Sequence, residues 1–212
     1  MDRQEYLDQI SASNRPVNTK TNGKFGNILS SKITWLVVGA VALFILFAVI
    51  GGILSGSKSS AKEKMYAFNT HVDNTMEVFD NYRTKVKSSN LRSYSTTLSS
   101  LLVNVKGKLE TYLSEKNNGK SETAENVLGE KMIDQLTLEK DGLENELFEA
   151  KINGNLDRVF EYKMVYEIAT FMNEESDIAK STGDSTLKEV LADSYNSLEN
   201  LHNQISNFSE SK

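Results

Sequence analysis

The stretch from residue 61 to 86, AKEKMYAFNTHVDNTMEVFDNYRTKV, places an apolar side chain at every third or fourth position. The members of this series are Met65, Phe68, Val72, Met76, Phe79, Tyr82 and Val86. Side chains with that spacing lie on one face of an α-helix, so the stretch predicts an amphipathic helix that packs against other elements. Pro16 is the only proline in the chain, so no later proline interrupts a helix from within.

Four further segments with the same periodicity follow towards the C-terminus. They cover residues 91–114, 122–152, 155–180 and 186–208. Short polar sequences separate them, namely Asn117-Asn118-Gly119, Asn153-Gly154-Asn155 and Thr182-Gly183-Asp184. Such sequences form turns and helix ends, so each segment predicts one helix.

Single residues predict three details of these helices. Gly142 lies inside the segment 122–152, and because glycine weakens a helix we expect that helix to bend or break there. Asn155 precedes the fourth segment and has a side chain that can cap it. The sequence Thr186-Leu-Lys-Glu189 matches the capping-box pattern and predicts the start of the fifth helix.

Amphipathic helices joined by short connections predict an all-α domain over residues 61–212. The alternation of apolar and polar residues that is typical of strands is nearly absent. Connections of two to six residues favour antiparallel neighbours, so we expect an up-and-down bundle of four or five helices. The heptad-like spacing leaves an elongated coiled coil as the alternative, although the loops between the segments favour a closed bundle.

Upstream of this domain, the segment Ile33–Leu54 has the composition of a membrane span. Its 22 residues include no charged side chain. As a helix it is about 33 Å long, which matches a hydrocarbon core of about 30 Å. The alternatives are a buried core helix, which normally carries a polar stripe, and a cleavable signal peptide, whose apolar region is usually shorter. We therefore predict a transmembrane helix that acts as a signal anchor in a single-pass protein of the cell membrane.

The residues on either side of the span predict its orientation. Residues 1–32 form a basic tail with five Lys or Arg against three acidic residues, and residues 55–60 form a flexible linker rich in Ser and Gly. Basic residues next to a span favour the cytoplasmic side, so we expect a mostly disordered cytoplasmic tail and an extracytoplasmic bundle. The favoured interpretation is that this tail only determines the topology, and the alternative is that it also binds the anionic head groups of the bilayer.

Ala48, Gly52 and Gly56 are spaced four residues apart, at the outer end of the predicted span. Small residues with this spacing let two spanning helices approach closely, which predicts a homodimer through this face. Glycines also occur where a helix gives way to a linker, and that remains the alternative.

The composition excludes several classes of protein. The absence of cysteine excludes disulfides, thiolate metal sites, a cysteine nucleophile and a lipid anchor on cysteine. Residues 55–212 carry a net charge of −7, which makes that part of the chain a poor partner for phosphate backbones. We therefore predict that it does not bind nucleic acid.

The sequence carries no interpretable catalytic signature. Its two histidines, His71 and His202, belong to no nucleophile, phosphate-loop or metalloprotease pattern. Glu199 and His202 lie on one helix face, as di-iron ligands do in ferritin-like bundles, but such a centre needs a second copy of this pair, which the chain lacks. The acidic runs at 144–146 and 174–177 are typical of solvated helix faces. We predict no catalytic, cofactor-binding or metal-binding residue, and no enzyme activity.

These observations favour a membrane-anchored helical interaction or scaffolding module that faces the cell exterior. Its partner would be a protein or another component of the cell envelope. The alternative is an extracytoplasmic domain that binds or senses a small ligand. A cavity on the order of a few hundred Å³ with convergent polar groups would favour the ligand, whereas a filled core and an exposed apolar face would favour the protein partner.

Overall fold

The computed structural model describes residues 59–117 and 122–210, with side chains up to residue 208. Within these ranges every regular element is a helix and there is no strand, which confirms the all-α prediction. The helices are α1 (Ala61–Arg83), α2 (Ser89–Lys116), α3 (Ala124–Val127), α4 (Glu130–Ile152), α5 (Leu156–Ser181) and α6 (Ser185–Glu210). The described part therefore contains five long helices and one short one.

Four of the long helices form a ring in which α1 contacts α2, α2 contacts α6, α6 contacts α5, and α5 contacts α1. Neighbouring helices in the ring are antiparallel, because residues early in one helix contact residues late in the next. These pairs are Phe68 with Phe171 and Phe79 with Phe160, Lys62 with Asn117 and Arg83 with Thr96, and Lys116 with Asp184 and Tyr94 with Phe208. The ring is a four-helix bundle with short connections, the geometry that amphipathic helices favour.

The fifth long helix, α4, packs on the outside of this bundle against α1 and α5. It runs parallel to α1, because Asn74 Nδ2 donates to the carbonyl of Leu136 and Tyr82 OH donates to the carbonyl of Glu144. The short helix α3 crosses α1 before α4 begins. The outward side of α4 is therefore left without a neighbour among the long helices described here.

The core is one continuous cluster of buried apolar side chains contributed by all five long helices. The largest fully buried members include Phe68, Phe160, Phe171, Leu102, Leu109, Leu147, Met164 and Ile168. Leu198, Leu201 and Ile205 of α6 are buried as their spacing predicts. Several other predicted members, such as Met76, Tyr94 and Phe208, are only partly buried and pack against its edge. A filled core of this size stabilises the bundle without disulfides or metals.

The predicted break at Gly142 does not occur. α4 is helical through Gly142, and the interruption lies instead at Leu128 and Gly129, where α3 ends and α4 begins. Leu128 is buried in a small second cluster with Ala67 and Leu136, which fixes the chain there. Because a single glycine costs a helix only about 1 kcal/mol, packing on either side outweighs it.

Two predicted caps also differ. α6 begins one residue before Thr186, and the cap is Asp184, whose Oδ1 accepts from the backbone N–H of Thr186 at 3.0 Å and of Leu187 at 3.1 Å. Asn155 does lie at the cap position of α5, but its side chain makes no capping hydrogen bond. A carboxylate is the stronger acceptor at a helix N-terminus because it also meets the positive end of the helix dipole.

α1 begins with a capping box, and its first residue, Ser60, lies in the segment predicted to be a flexible linker. Ser60 Oγ accepts from Glu63 N–H at 3.2 Å, and Glu63 Oε2 accepts from Ser60 N–H at 2.7 Å. The end of the predicted linker is therefore part of the helix start.

None of the helices within the described ranges is long and apolar enough to cross a membrane. The predicted span at 33–54, the tail at 1–32 and the small-residue stripe Ala48, Gly52 and Gly56 lie outside those ranges.

Candidate functional site

The structure does not build a metal centre at Glu199 and His202. Glu199 is exposed and His202 is half-buried on α6. Among the residues that the structure describes, no group of three or more His, Asp or Glu side chains could hold a metal ion.

The other histidine, His71 on α1, is the centre of a buried charged cluster. Its side chain is held between two carboxylates of α5, with Nδ1 3.0 Å from Glu174 Oε1 and Nε2 3.2 Å from Glu167 Oε2. His71 and Glu167 are each 7 % exposed. Both ring nitrogens therefore lie within hydrogen-bond distance of a carboxylate oxygen, an arrangement that the doubly protonated imidazolium satisfies.

Opposing effects act on the pKa of His71, and the carboxylates prevail. Burial on its own lowers this pKa, but the charge of Glu174 and the hydrogen bonds to Glu167 and Glu174 hold it well above its ordinary value of 6.5. The two carboxylates therefore favour the positively charged form of His71. The ring of Phe171 lies 4.6 Å from the imidazole ring, centroid to centroid, and closes one face of it.

The charged cluster extends to α4. Burial raises the pKa of Glu139, an effect to which the charges of Glu174 and Glu167 add, while Gln135 donates to Glu139 Oε1 at 2.9 Å. The charged groups of this cluster thus lie on three helices, α1, α4 and α5, and interact electrostatically with one another.

Glu175, next to Glu174, is a second buried carboxyl group that faces α6. It is 1 % exposed, and Ser194 Oγ donates to its Oε1 at 2.6 Å. Burial raises the pKa of Glu175 to about 8. The prediction that the acidic run 174–177 is a solvated face is therefore wrong for Glu174 and Glu175, because α5 packs against a helix on both sides.

A polar cleft of about 410 Å³ lies between α1 and α2 and reaches the start of the α3 segment. Asn69, Asp73 and Tyr66 of α1 line one wall, and Lys106 and Glu110 of α2 line the other. The cleft is on the opposite side of α1 from the charged cluster, since His71 faces α5. It is the kind of polar cavity that the alternative hypothesis of ligand binding requires.

Ion pairs organise the walls of this cleft. Lys106 Nζ lies 2.5 Å from Asp73 Oδ1 and 3.6 Å from Glu110 Oε1. Partial burial on its own lowers the pKa of Lys106, but the hydrogen bond and charge of Asp73 outweigh it and raise the pKa. At the open end, Lys62 pairs with Glu122 and donates to Asn117 Oδ1 at 3.3 Å.

The outer side of α4 carries the third feature, an apolar stripe on the surface. Five large hydrophobic side chains are exposed among the described residues, and three of them, Leu138, Phe148 and Ile152, belong to α4. At about 100° per residue these three fall within about 80° of the helix circumference. The buried residues Leu136, Leu143 and Leu147 lie on the opposite side of α4.

Comparison with known proteins adds no further assignment. No protein family, curated protein or solved structure matches this chain.

Proposed function

We propose that this protein is a single-pass membrane protein whose extracytoplasmic helical domain binds a protein partner through the outer face of α4. The proposed anchor at 33–54 holds the domain at the membrane, and the basic residues 1–32 remain in the cytoplasm. The domain acts as an interaction or scaffolding module rather than as an enzyme.

The observation that carries this proposal is the exposed stripe of Leu138, Phe148 and Ile152. Phe148 is 50 % exposed and Ile152 is 67 % exposed, and they are one helical turn apart on the same side of α4. Single exposed apolar residues are common on protein surfaces, but aligned ones on the unpacked side of an outer helix are typical of a contact surface. A partner that covers them gains the burial that α4 does not obtain within its own domain.

The charge of α4 indicates the chemistry of that partner. The helix carries seven acidic and three basic residues, so its net charge of −4 is more than half of the −7 carried by residues 55–212. Asp134 and Asp141 are exposed within the same sector as the apolar stripe. The complementary surface therefore combines apolar side chains with basic ones, as in an amphipathic helix that carries Lys or Arg beside its apolar residues.

The interior of the bundle supports the same conclusion. Its centre is filled by large side chains such as Phe68, Phe160 and Phe171, each at most 1 % exposed. Filled space at the centre of the bundle leaves no room there for a small molecule, which supports binding at the surface.

Site-specific photocrosslinking in the native cells tests this function. A photoreactive phenylalanine analogue replaces Phe148 in the full-length protein, and the matched control replaces Val103 of α2, which is 54 % exposed. We expect one discrete crosslinked product from position 148 and none from position 103. The product should weaken with Asp141→Lys, which reverses a charge in the stripe, but not with Asp193→Lys on the exposed surface of α6.

Two results would overturn the proposal. The first is the absence of any crosslinked product from position 148. The second is a product that forms equally from positions 103 and 148, or that is indifferent to Asp141→Lys, because contact would then not depend on the acidic and apolar face of α4.

A further inference from the structure

We propose that the polar cleft between α1 and α2 is a binding site for a small organic cation with N–H donors, that is, a primary aliphatic amine. This site is separate from the outer face of α4, and the inference does not depend on the proposed function of that face.

The first observation is an unsatisfied acceptor in the wall of the cleft. Asn69 lines the cleft and is 8 % exposed, and its Oδ1 accepts no hydrogen bond. A buried amide oxygen without a partner is destabilising, and native proteins keep such groups rarely. The terminal torsion of an asparagine side chain is soft, so a small rotation turns this oxygen towards a donor in the cleft. The missing partner is a hydrogen-bond donor.

The second observation is the balance of charge around the same cleft. Asp73, Glu110 and Glu122 contribute three carboxylates, against which stand the two ammonium groups of Lys106 and Lys62. Both lysines are already engaged, Lys106 with Asp73 and Glu110, and Lys62 with Glu122 and Asn117. The groups of the cleft that can still form hydrogen bonds are therefore mostly acceptors, and the net charge of the cleft is negative. Both properties attract a cation.

The same inventory disfavours an anionic ligand. A carboxylate or phosphate would need Lys106 as its partner, but Lys106 lies within 2.5 Å of Asp73 Oδ1. Breaking that ion pair to bind an anion would leave Asp73 and Glu110 facing each other without a counter-charge. An ammonium group instead adds donors where the acceptors are in excess.

The shape of the cleft selects an aliphatic amine over a bare ion. Tyr66 and Leu113 add apolar surface to the walls, which suits a short methylene chain. A volume of about 410 Å³ also lies within the range of small-molecule sites and is far larger than one cation needs. No group of three or more His, Asp or Glu within the described ranges forms a metal site, which agrees with an organic ligand.

Isothermal titration calorimetry of the full-length protein in a non-ionic detergent tests this assignment. The probes are butane-1,4-diamine, n-butylamine and, as the anionic control of equal length, butyrate. We expect saturable binding of the amines and none of butyrate. Asp73→Asn should weaken amine binding, whereas Asp80→Asn, which removes the same charge from an exposed site on the same helix, should leave it unchanged.

Asn69→Leu gives the sharpest test because its two effects should have opposite signs. It replaces the unsatisfied amide by an apolar group of similar volume, so the melting temperature without ligand should rise. The same change should weaken amine binding about tenfold or more, since a hydrogen bond to a charged group is lost. A structural asparagine would instead lose stability when replaced.

Three outcomes would overturn the inference. They are the absence of saturable amine binding, equal binding of butyrate and the amines, and equal weakening by Asp73→Asn and Asp80→Asn, which would indicate attraction by the overall charge alone. Asp141→Lys on α4 should leave amine binding unchanged, so failure of this inference is distinguishable from failure of the proposed contact through α4.

Discussion

His71 on α1 and Glu174 on α5 are 103 positions apart in the chain, yet His71 Nδ1 lies 3.0 Å from Glu174 Oε1. Glu167 Oε2 lies 3.2 Å from the other ring nitrogen, Nε2. Each nitrogen of the buried ring therefore contacts one carboxylate. Such a pair contributes little compared with a well-packed apolar contact, but removing one partner leaves an uncompensated charge in the interior. The cluster therefore fixes how α1 and α5 align more than it adds to stability.

Replacing His71 tests this reasoning. His71→Leu leaves Glu167 and Glu174 buried without a counter-charge, so the free energy of unfolding should fall by about 3 to 5 kcal/mol. Urea denaturation of the full-length protein, followed by circular dichroism, measures the change. His202→Leu is the matched control, since His202 is half-buried on α6, and it should cost about 1 kcal/mol or less. Equal small losses in the two variants would contradict a structural role for the His71 cluster.

The pKa values predict that the domain is more stable in mild acid than in mild base. The folded pKa of His71 lies above 6.5, so its contribution is fully present below pH 6.5 and is lost as the pH rises through the folded value. Folding also raises the pKa of Glu175 from 4.5 to about 8, which favours the protonated form and makes stability fall as the pH rises between those values.

Thermal unfolding between pH 5 and pH 9 measures this effect, with the pH range set by the two groups above. The melting temperature should fall with rising pH. Glu175→Gln should flatten the curve below about pH 8, because it removes a dependence of the free energy of unfolding on pH of up to about 1.4 kcal/mol per pH unit. A wild-type melting temperature that rises through this range, or a Glu175→Gln curve with an unchanged slope, would contradict the assignment.

The long helices could be predicted because their periodicity is local. The spacing of Leu187, Leu191, Leu198 and Ile205 alone defines the buried face of α6. Helix interruptions were harder, since Gly142 has the residue type of a break but the tertiary packing of Leu128 places the break elsewhere. Likewise, Asp184 rather than Thr186 caps α6, because the side chain of Asp184 reaches the free N–H groups at the start of the helix.

The candidate sites depend on packing between distant segments, so the sequence predicted little of them. His71 looks like an isolated histidine because its partners are 96 and 103 positions away. Asn69 lines a cleft only because α2 packs beside α1, a contact between segments that the sequence does not reveal. The exposed stripe of α4 did have a signal in the sequence, since Phe148 and Ile152 are large apolar residues outside the buried stripe of Leu136, Leu143 and Leu147.

The core of α6 separates packing from metal binding. Leu201 is 3 % exposed, so Leu201→Ala should lower the free energy of unfolding by about 2 to 5 kcal/mol through lost burial and the cavity left behind. Replacing both Glu199 and His202 by Ala should cost about 1 kcal/mol or less. Adding iron, zinc or a chelator should not move the melting temperature. A metal-dependent rise that His202→Ala abolishes would contradict this, because an ion that binds only the folded state stabilises it.

The small-residue stripe predicts how the anchor associates. Gly52→Leu puts a large side chain where two spanning helices would approach, so it should weaken a dimer in detergent without preventing membrane insertion. Analytical ultracentrifugation of the full-length protein measures the dimer, and membrane fractionation measures insertion. Leu46→Ile, which keeps a large apolar residue of the span, is the control. A dimer of undiminished strength in Gly52→Leu would show that the contact lies elsewhere.

The orientation of the chain can be tested directly because the protein contains no cysteine. One variant carries Asn18→Cys in the basic tail, and the other carries Asn200→Cys on the exposed surface of α6. If the basic tail stays in the cytoplasm, a membrane-impermeant maleimide added to intact cells should label only position 200. Both positions should react after the cells are lysed, which controls for accessibility of each thiol. Labelling of position 18 but not 200 on intact cells would reverse the orientation and would place the acidic face of α4 in the cytoplasm, where its partner would then have to be sought.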